Sequence, residues 1–420
     1  MRPTLPGVRI TLVRHGRTAD NHGRIWQGWG GSGLDDEGRS QAAALAARLD
    51  GRVYDRVISS DIQRVVETAA HLDKAVELST AWREIHVGSW AGRSIPETYE
   101  QHTDDFDAMR RGESVRIGGD GETTDEFHAR VVDAFFTLVD QHDEGDDVLV
   151  LAHGGVIGTL VAELFGTSWP ASPTAPITNT SLTTLEVGSD RQPRLTVLND
   201  AAHLGHLPGF AGVAAQDGGR VVTVVRHGVT DANLGDIWHG HACGGLNEAG
   251  RDQARRLAAH LGRQPRLWSS DTPRAAETAA ELGDPILTDG LREISFGSWE
   301  GLGRREVEAR DPDLARRIYV DREDLPRGGD GESWQDLTER VAGTVDAVLA
   351  ETEGDVTFVS HGSAIRSYLL RSLDVGWEAS PRLGLLPNTG FARLIESPWG
   401  MRLFDYGLAP HLERQPALRK

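Results

Sequence analysis

Leu12-Val13-Arg14-His15-Gly16-Arg17-Thr18 near the start of the chain returns as Val224-Val225-Arg226-His227-Gly228-Val229-Thr230 just past its middle. In each copy an apolar, β-branched run leads straight into a cation, an imidazole and a glycine. That order reads as a buried strand delivering arginine and histidine to its carboxyl end. A lone Arg-His-Gly would carry little weight, but a train of further matches follows both copies in the same order.

Ser59-Ser60-Asp61-Ile62-Gln63-Arg64 with Glu67-Thr68-Ala69 answers to Ser269-Ser270-Asp271-Thr272-Pro273-Arg274 with Glu277-Thr278-Ala279. Arg83-Glu84-Ile85 with Gly88-Ser89-Trp90 and Gly92 answers to Arg292-Glu293-Ile294 with Gly297-Ser298-Trp299 and Gly301. Gly118-Gly119-Asp120-Gly121-Glu122, His153-Gly154 and Asn179-Thr180 answer to Gly328-Gly329-Asp330-Gly331-Glu332, His361-Gly362 and Asn388-Thr389. The chain is therefore a duplicated domain, and its matched polar residues are candidates for chemistry.

The 420 residues divide into a first domain over 1–206, a linker over 207–219 marked by Gly, Ala and Pro208, and a second domain over 220–420. Each half is long enough for its own core. No apolar run approaches membrane-spanning length, and Arg9 and Arg14 flank the only early apolar stretch, so a soluble, cytoplasmic protein with neither membrane nor signal segment is expected. Cys243 is the single cysteine, which excludes an intramolecular disulfide framework and a thiolate zinc cluster. A formal charge of −19 argues against a nucleic-acid partner, which calls for a basic face. It leaves room for small phosphorylated substrates, since a pocket needs only a few local cations. Oligomeric state leaves no mark on the sequence.

Short β-branched runs alternate with helical patterns in each half, the signature of a parallel sheet covered on both faces. Val8–Val13, Arg56–Ser59, Val148–Ala152, Ser181–Val187 and Arg194–Leu198 read as strands. Helices are expected after Asp35 or Asp36, from Gln63, over Phe127–Val139 and over Gly155–Phe165, with the same pattern in the second half. The fold class is α/β: two tandem three-layer α/β/α domains, each a mostly parallel sheet with helices on both faces. His15 and His153, like His227 and His361, fall at strand carboxyl ends, where open sheets of this kind hold ligands. The less regular stretches Arg93–Glu122 and Leu302–Glu332 read as insertions over the pocket.

In combination these motifs resemble the histidine phosphatase superfamily, also called phosphoglycerate mutase-like, once in each half. The resemblance implies a phosphomonoesterase that works through a phosphohistidine without metal or cofactor. A phosphomonoester dianion repels nucleophiles, so its site must neutralise oxygens and hold a nucleophile in line. Arg14, Arg64, Arg226 and Arg274 match the phosphate-gripping guanidiniums, with His153 and His361 as further phosphate ligands, most useful when protonated. His15 and His227 match the nucleophile. Glu84 and Glu293 match the proton donor, which later serves as base toward water.

Around them Arg17, Asn21 and Gln27 in the first half, and Asn233 and His239 in the second, are weaker candidates for the pocket. Trp90 and Trp299 read as packing anchors beneath the acid-bearing loop. The substrate expected is a small phosphomonoester: a sugar phosphate, phosphoglycerate derivative, nucleotide or biosynthetic intermediate. Two alternatives stay open. Phosphoryl transfer of the mutase kind is disfavoured because the mutases' Tyr-Gly-x-Leu-x-Gly-x-Asn-Lys run is absent; one active half beside a phosphate-binding or scaffolding half is the other. Arg17, Gln27 and Trp29 become Val229, His239 and His241, which suggests different selectivities.

Overall fold

A computed structural model describes residues 7–167, 174–205, 219–235, 237–241, 244–397 and 400–413. The chain divides into two compact units, Met1–Phe210 and Ala211–Lys420. The linker expected over 207–219, apart from Gly219, and Cys243 lie outside the described residues.

The first unit is built on six strands: β1 (Gly7–Arg14), β2 (Arg56–Ser60), β3 (Glu77–Ser79), β4 (Asp147–Ala152), β5 (Leu182–Gly188) and β6 (Pro193–Asp200). Their order is β3-β2-β4-β1-β5-β6. β1, β2, β3 and β4 run parallel, whereas β5 and β6 join antiparallel beside β1. Val148 to Ala152 are all fully buried, as a strand covered on both faces must be. One face packs Val13, Val57, Leu149 and Leu151 against Leu45, Leu49 and Val65 of the helices Asp36–Leu49 and Gln63–Ala69. The helices Thr124–Asp140 and Gly154–Leu164 add Phe127, Val131, Phe135, Val156 and Ile157 to the buried core. Asp35 caps the helix Asp36–Leu49, accepting from the Gly38 amide at 2.7 Å.

The second unit repeats the plan with β7 (Arg220–Arg226), β8 (Leu267–Ser270), β9 (Ile286–Thr288), β10 (Val356–Ser360), β11 (Phe391–Ser397) and β12 (Gly400–Leu408). Their order is β9-β8-β10-β7-β11-β12. The short edge strands β3 and β9 escape the pattern reading because three residues show no periodicity.

The stretches expected to be irregular are helical. Ile95–Gln101 and Thr103–Arg110 fold over the first unit, Arg304–Arg310 and Pro312–Tyr319 over the second. Such short helices would be marginal alone and are held by tertiary packing. Phe106 stacks on Trp90 at 5.3 Å between centroids, and Trp26 lies 5.6 Å from Trp90. In the second unit Trp299, Val307, Ala315 and Ile318 form the equivalent cluster, with Trp238 and Tyr319 packed on it.

Candidate active site

Strand register brings the motifs together. Arg14 lies opposite Ala152 on the parallel neighbours β1 and β4, so the next residues, His15 and His153, emerge side by side at the carboxyl ends. Their ring centroids are 5.4 Å apart, and both side chains are buried. In the second unit Arg226 lies opposite Ser360, and His227 and His361 are 5.0 Å apart.

The hydrogen bonds fix the tautomer of each ring. His15 Nδ1 sits 2.8 Å from the Gly16 carbonyl, which can only accept, so Nδ1 carries the proton and Nε2 keeps its lone pair. Arg64 Nε donates to that Nε2 at 3.2 Å. Burial, with Arg64 and Arg14 adding to it, holds the His15 imidazole well below its usual range. His153 accepts from Arg64 Nη2 on Nδ1 at 3.1 Å and presents Nε2 to Ser60 Oγ at 2.9 Å. Burial and then Arg64 likewise push His153 down, so the ring expected to serve as a cation is neutral in this arrangement.

Arg64 opens its helix and is itself buried, anchored by the carbonyls of Gly28 and Gly30 at 2.8 Å each. Desolvation lowers its pKa to about 10, with Glu84 opposing, so it stays charged at neutral pH. Arg14 is anchored by the Ile177 carbonyl. In the second unit His227 Nδ1 bonds the Gly228 carbonyl at 2.7 Å, Arg274 bonds the His239 and Gly240 carbonyls at 3.0 and 2.7 Å, and Arg226 bonds the Leu386 carbonyl at 2.7 Å.

Glu84 reaches the site from the other side and accepts from the Gly155 amide at 3.1 Å, in the first turn of the helix that follows His153. Glu293 does the same more fully, accepting from Ser363 and Ala364 at 3.1 Å each. The loop carrying the acid is braced by residues that sequence reasoning passed over. Arg130 pairs with Glu122 and donates to the carbonyls of Ala81, Arg83 and Glu84 at 3.0, 2.9 and 3.3 Å. Arg340 repeats the set with Glu332 and the carbonyls of Gly290, Arg292 and Glu293. Their signal was available: an arginine stands eight residues after Glu122 and again after Glu332. Trp29 Nε1 also holds the Glu84 carbonyl, at 2.7 Å, and His241 Nε2 holds that of Glu293 at 3.0 Å, so this exchange keeps its contact.

The weaker candidates fall in several places. Asn21 completes a capping box with Thr18 and accepts from Asn179 at 3.3 Å; Asn233 pairs likewise with Thr230 and Asn388. Asn179 and Asn388 also donate to the His15 and His227 carbonyls, at 2.9 and 3.0 Å. Gln27 bonds Thr18 and Asp20 at 2.9 Å each, whereas His239 is engaged through its carbonyl. Arg17 pairs with Asp35 at 2.8 Å. The second unit has Val229 and Asn247 at these positions, and Asn247 still caps its helix, through the Gly250 amide at 2.9 Å.

Comparison with known proteins adds an independent view. The family model for the histidine phosphatase superfamily (branch 1) matches residues 10–201 and again 222–406. Bifunctional protein Rv2228c of Mycobacterium tuberculosis is 36% identical over 171 residues, which is 39% of this chain and 46% of that protein, so the chain spans about half the length of that relative. A metal-independent phosphoserine phosphatase of Arabidopsis thaliana is 31% identical over 36% of this chain and 67% of that protein. Among solved structures, a mycobacterial glucosyl-3-phosphoglycerate phosphatase aligns at 30% identity over 46% of this chain and 98% of its own, with a TM-score of 0.41. Among the described residues no helix is long and apolar enough to cross a membrane.

Proposed function

The chain belongs to the histidine phosphatase superfamily, branch 1, in both of its halves, and from that premise we propose that each half hydrolyses small phosphomonoesters through a phosphohistidine, on His15 and on His227. The observation that carries this reading is the state of the nucleophile. His15 is neutral, its Nδ1 proton is tied to a carbonyl, and its unprotonated Nε2 accepts from the guanidinium that would grip the phosphoryl group. His227 shares that tie.

In this mechanism Arg14 and Arg64 take the phosphoryl oxygens, as permanent cations already desolvated by the fold. The dianion's charge opposes the push that keeps His153 neutral, so this ring becomes a better donor when substrate binds. His15 Nε2 attacks phosphorus, and Glu84 delivers a proton to the departing alkoxide. Water then attacks the phosphohistidine, with Glu84 as base, and releases phosphate. Arg226, His227, Arg274, Glu293 and His361 do the same in the second half. No step requires a metal.

Acid-labile phosphate should be trapped on His15 and His227 by brief reaction with labelled phosphomonoester and rapid quenching. The His15→Ala, His227→Ala double variant should lose turnover by several orders of magnitude. Full activity in that variant would sink the proposal.

A further inference from the structure

The matched motifs allow the halves to be compared position by position, and two differences add a cation to the second half, one on the helix that follows His361 and one in the segment expected over the pocket. Five residues after His153 the first half has Gly158, buried in its helix; five residues after His361 the second half has Arg366. Six residues before Gly118 stands Gly112, and six before Gly328 stands Arg322. Both of these have left-handed backbone, with φ of 79° and 61°. That conformation suits glycine and strains arginine, so the second half keeps a guanidinium where the fold disfavours it.

Arg366 springs from the helix whose first amides hold Glu293, and side chains on a helix lean toward its amino end, here toward the site. Its guanidinium lies over the Trp334 ring at 5.7 Å. Its one hydrogen bond, from Nη1 to the Ser380 carbonyl, is long at 3.4 Å, and its buried Nε has no acceptor among the described residues. Burial lowers its pKa; the Tyr406 hydroxyl and the Glu293 carboxylate oppose this, and the Arg322 guanidinium adds to it, so all three lie within electrostatic reach. Arg322 is exposed and makes no ion pair among the described residues. Among the described residues, where most arginines are paired, these two guanidiniums have no salt-bridge partner: Arg366 stands on the helix whose first amides hold Glu293, and Arg322 stands in the segment expected over the pocket. The contrast runs the other way at Asp20, a carboxylate close enough to oppose the lowering of Arg64; its counterpart is Ala232.

We propose that the second-half site selects phosphomonoesters whose alcohol carries a carboxylate, received by Arg366 and Arg322, whereas the first-half site favours alcohols without one. A stacked guanidinium with its edge unsatisfied receives a carboxylate in a fixed plane, and the second cation, in the segment over the pocket, adds to the attraction. The assignment rests on the phosphatase reading above, and its test separates the two.

In the His15→Ala background, where turnover comes from the second half, kcat/KM is measured for 3-phosphoglycerate and for glycerol 3-phosphate, which differ by a carboxylate in place of a hydroxymethyl group. The ratio should exceed that of the His227→Ala background and fall about 10- to 100-fold in Arg366→Gln. Arg322→Gly, which restores the residue suited to that backbone, should lower the ratio without loss of thermal stability, and it serves as the test should Arg366→Gln fail to fold. Equal ratios in the two backgrounds, or a ratio unmoved by both substitutions, overturn the inference while leaving the phosphatase reading intact. Aryl phosphate turnover that survives loss of both histidines overturns both.

Discussion

His15 shows how a residue's chemistry is set by neighbours that the sequence holds far apart: Gly16 fixes its tautomer, and Arg64 is brought to its other nitrogen by the turn after β2. If Glu84 is the proton donor, Glu84→Gln in the His227→Ala background should reduce turnover of poor leaving groups about 10²- to 10⁴-fold and that of an activated aryl phosphate far less. Equal losses on both would place Glu84 in binding. Histidines outside the site affect stability. Burial, with Arg48 adding to it, lowers His203 to about 4; burial, with His260 and Arg256 adding, lowers His411 to about 4. The unfolded chain then binds more protons between these values and 6.5, so this stability is fully present above about pH 6.5 and is lost as pH falls toward about 4. Tm measured from pH 7.5 to 5 should drop, and more shallowly in the His203→Gln, His411→Gln double variant; an identical slope would acquit these rings. Motif order made the candidate site residues legible, because each member lies in a matched run. It could not show that Thr180 and Thr389, which bond these histidines, have left-handed backbone, with φ of 58° and 57°. β-Branched residues give no sequence sign of that strain.

At the scale of elements, alternation and apolar runs were enough to reveal the central strands and the capped helices, since burial on both faces writes itself into composition. The short lid helices were not legible, because seven or eight residues carry too few turns for a period and their stability comes from aromatic partners distant in sequence. The brace on the acid-bearing loop was hidden for a similar reason: Arg130 satisfies backbone carbonyls, which have no residue identity to match. It also ties that loop to Glu122, at the end of the lid segment. Arg130→Gln in the His227→Ala background should loosen Glu84 and cut kcat about 10- to 100-fold, with little change in KM and the largest loss on poor leaving groups. Arg130→Lys, which cannot span the same carbonyls, should recover only part of it. Unchanged kcat in a folded Arg130→Gln protein would show that the brace is dispensable.

For the whole molecule, duplication predicts independence. If each half supplies its own nucleophile, phosphate grip and acid, as proposed, kcat/KM of the intact chain should equal the sum of the values for His15→Ala and His227→Ala on every substrate. A sum that departs by more than about twofold would reveal coupling between the halves. Ordered repetition of the motifs reveals the duplication, yet it is the mismatches between the halves that say most about divergence. Arg17 and Asp35 are replaced together by Val229 and Asn247, and both Asp35 and Asn247 cap their helices. For anyone shuffling segments between the halves, this makes residues 17 to 35 a single heritable block. A crossover inside it would give a chimera that folds, since either cap serves, but one that joins Arg17 to Asn247 would leave that arginine without its counter-ion two positions from His15. Junctions placed before Arg17 or after Asp35 keep the ion pair whole and allow the lids to be exchanged as cassettes.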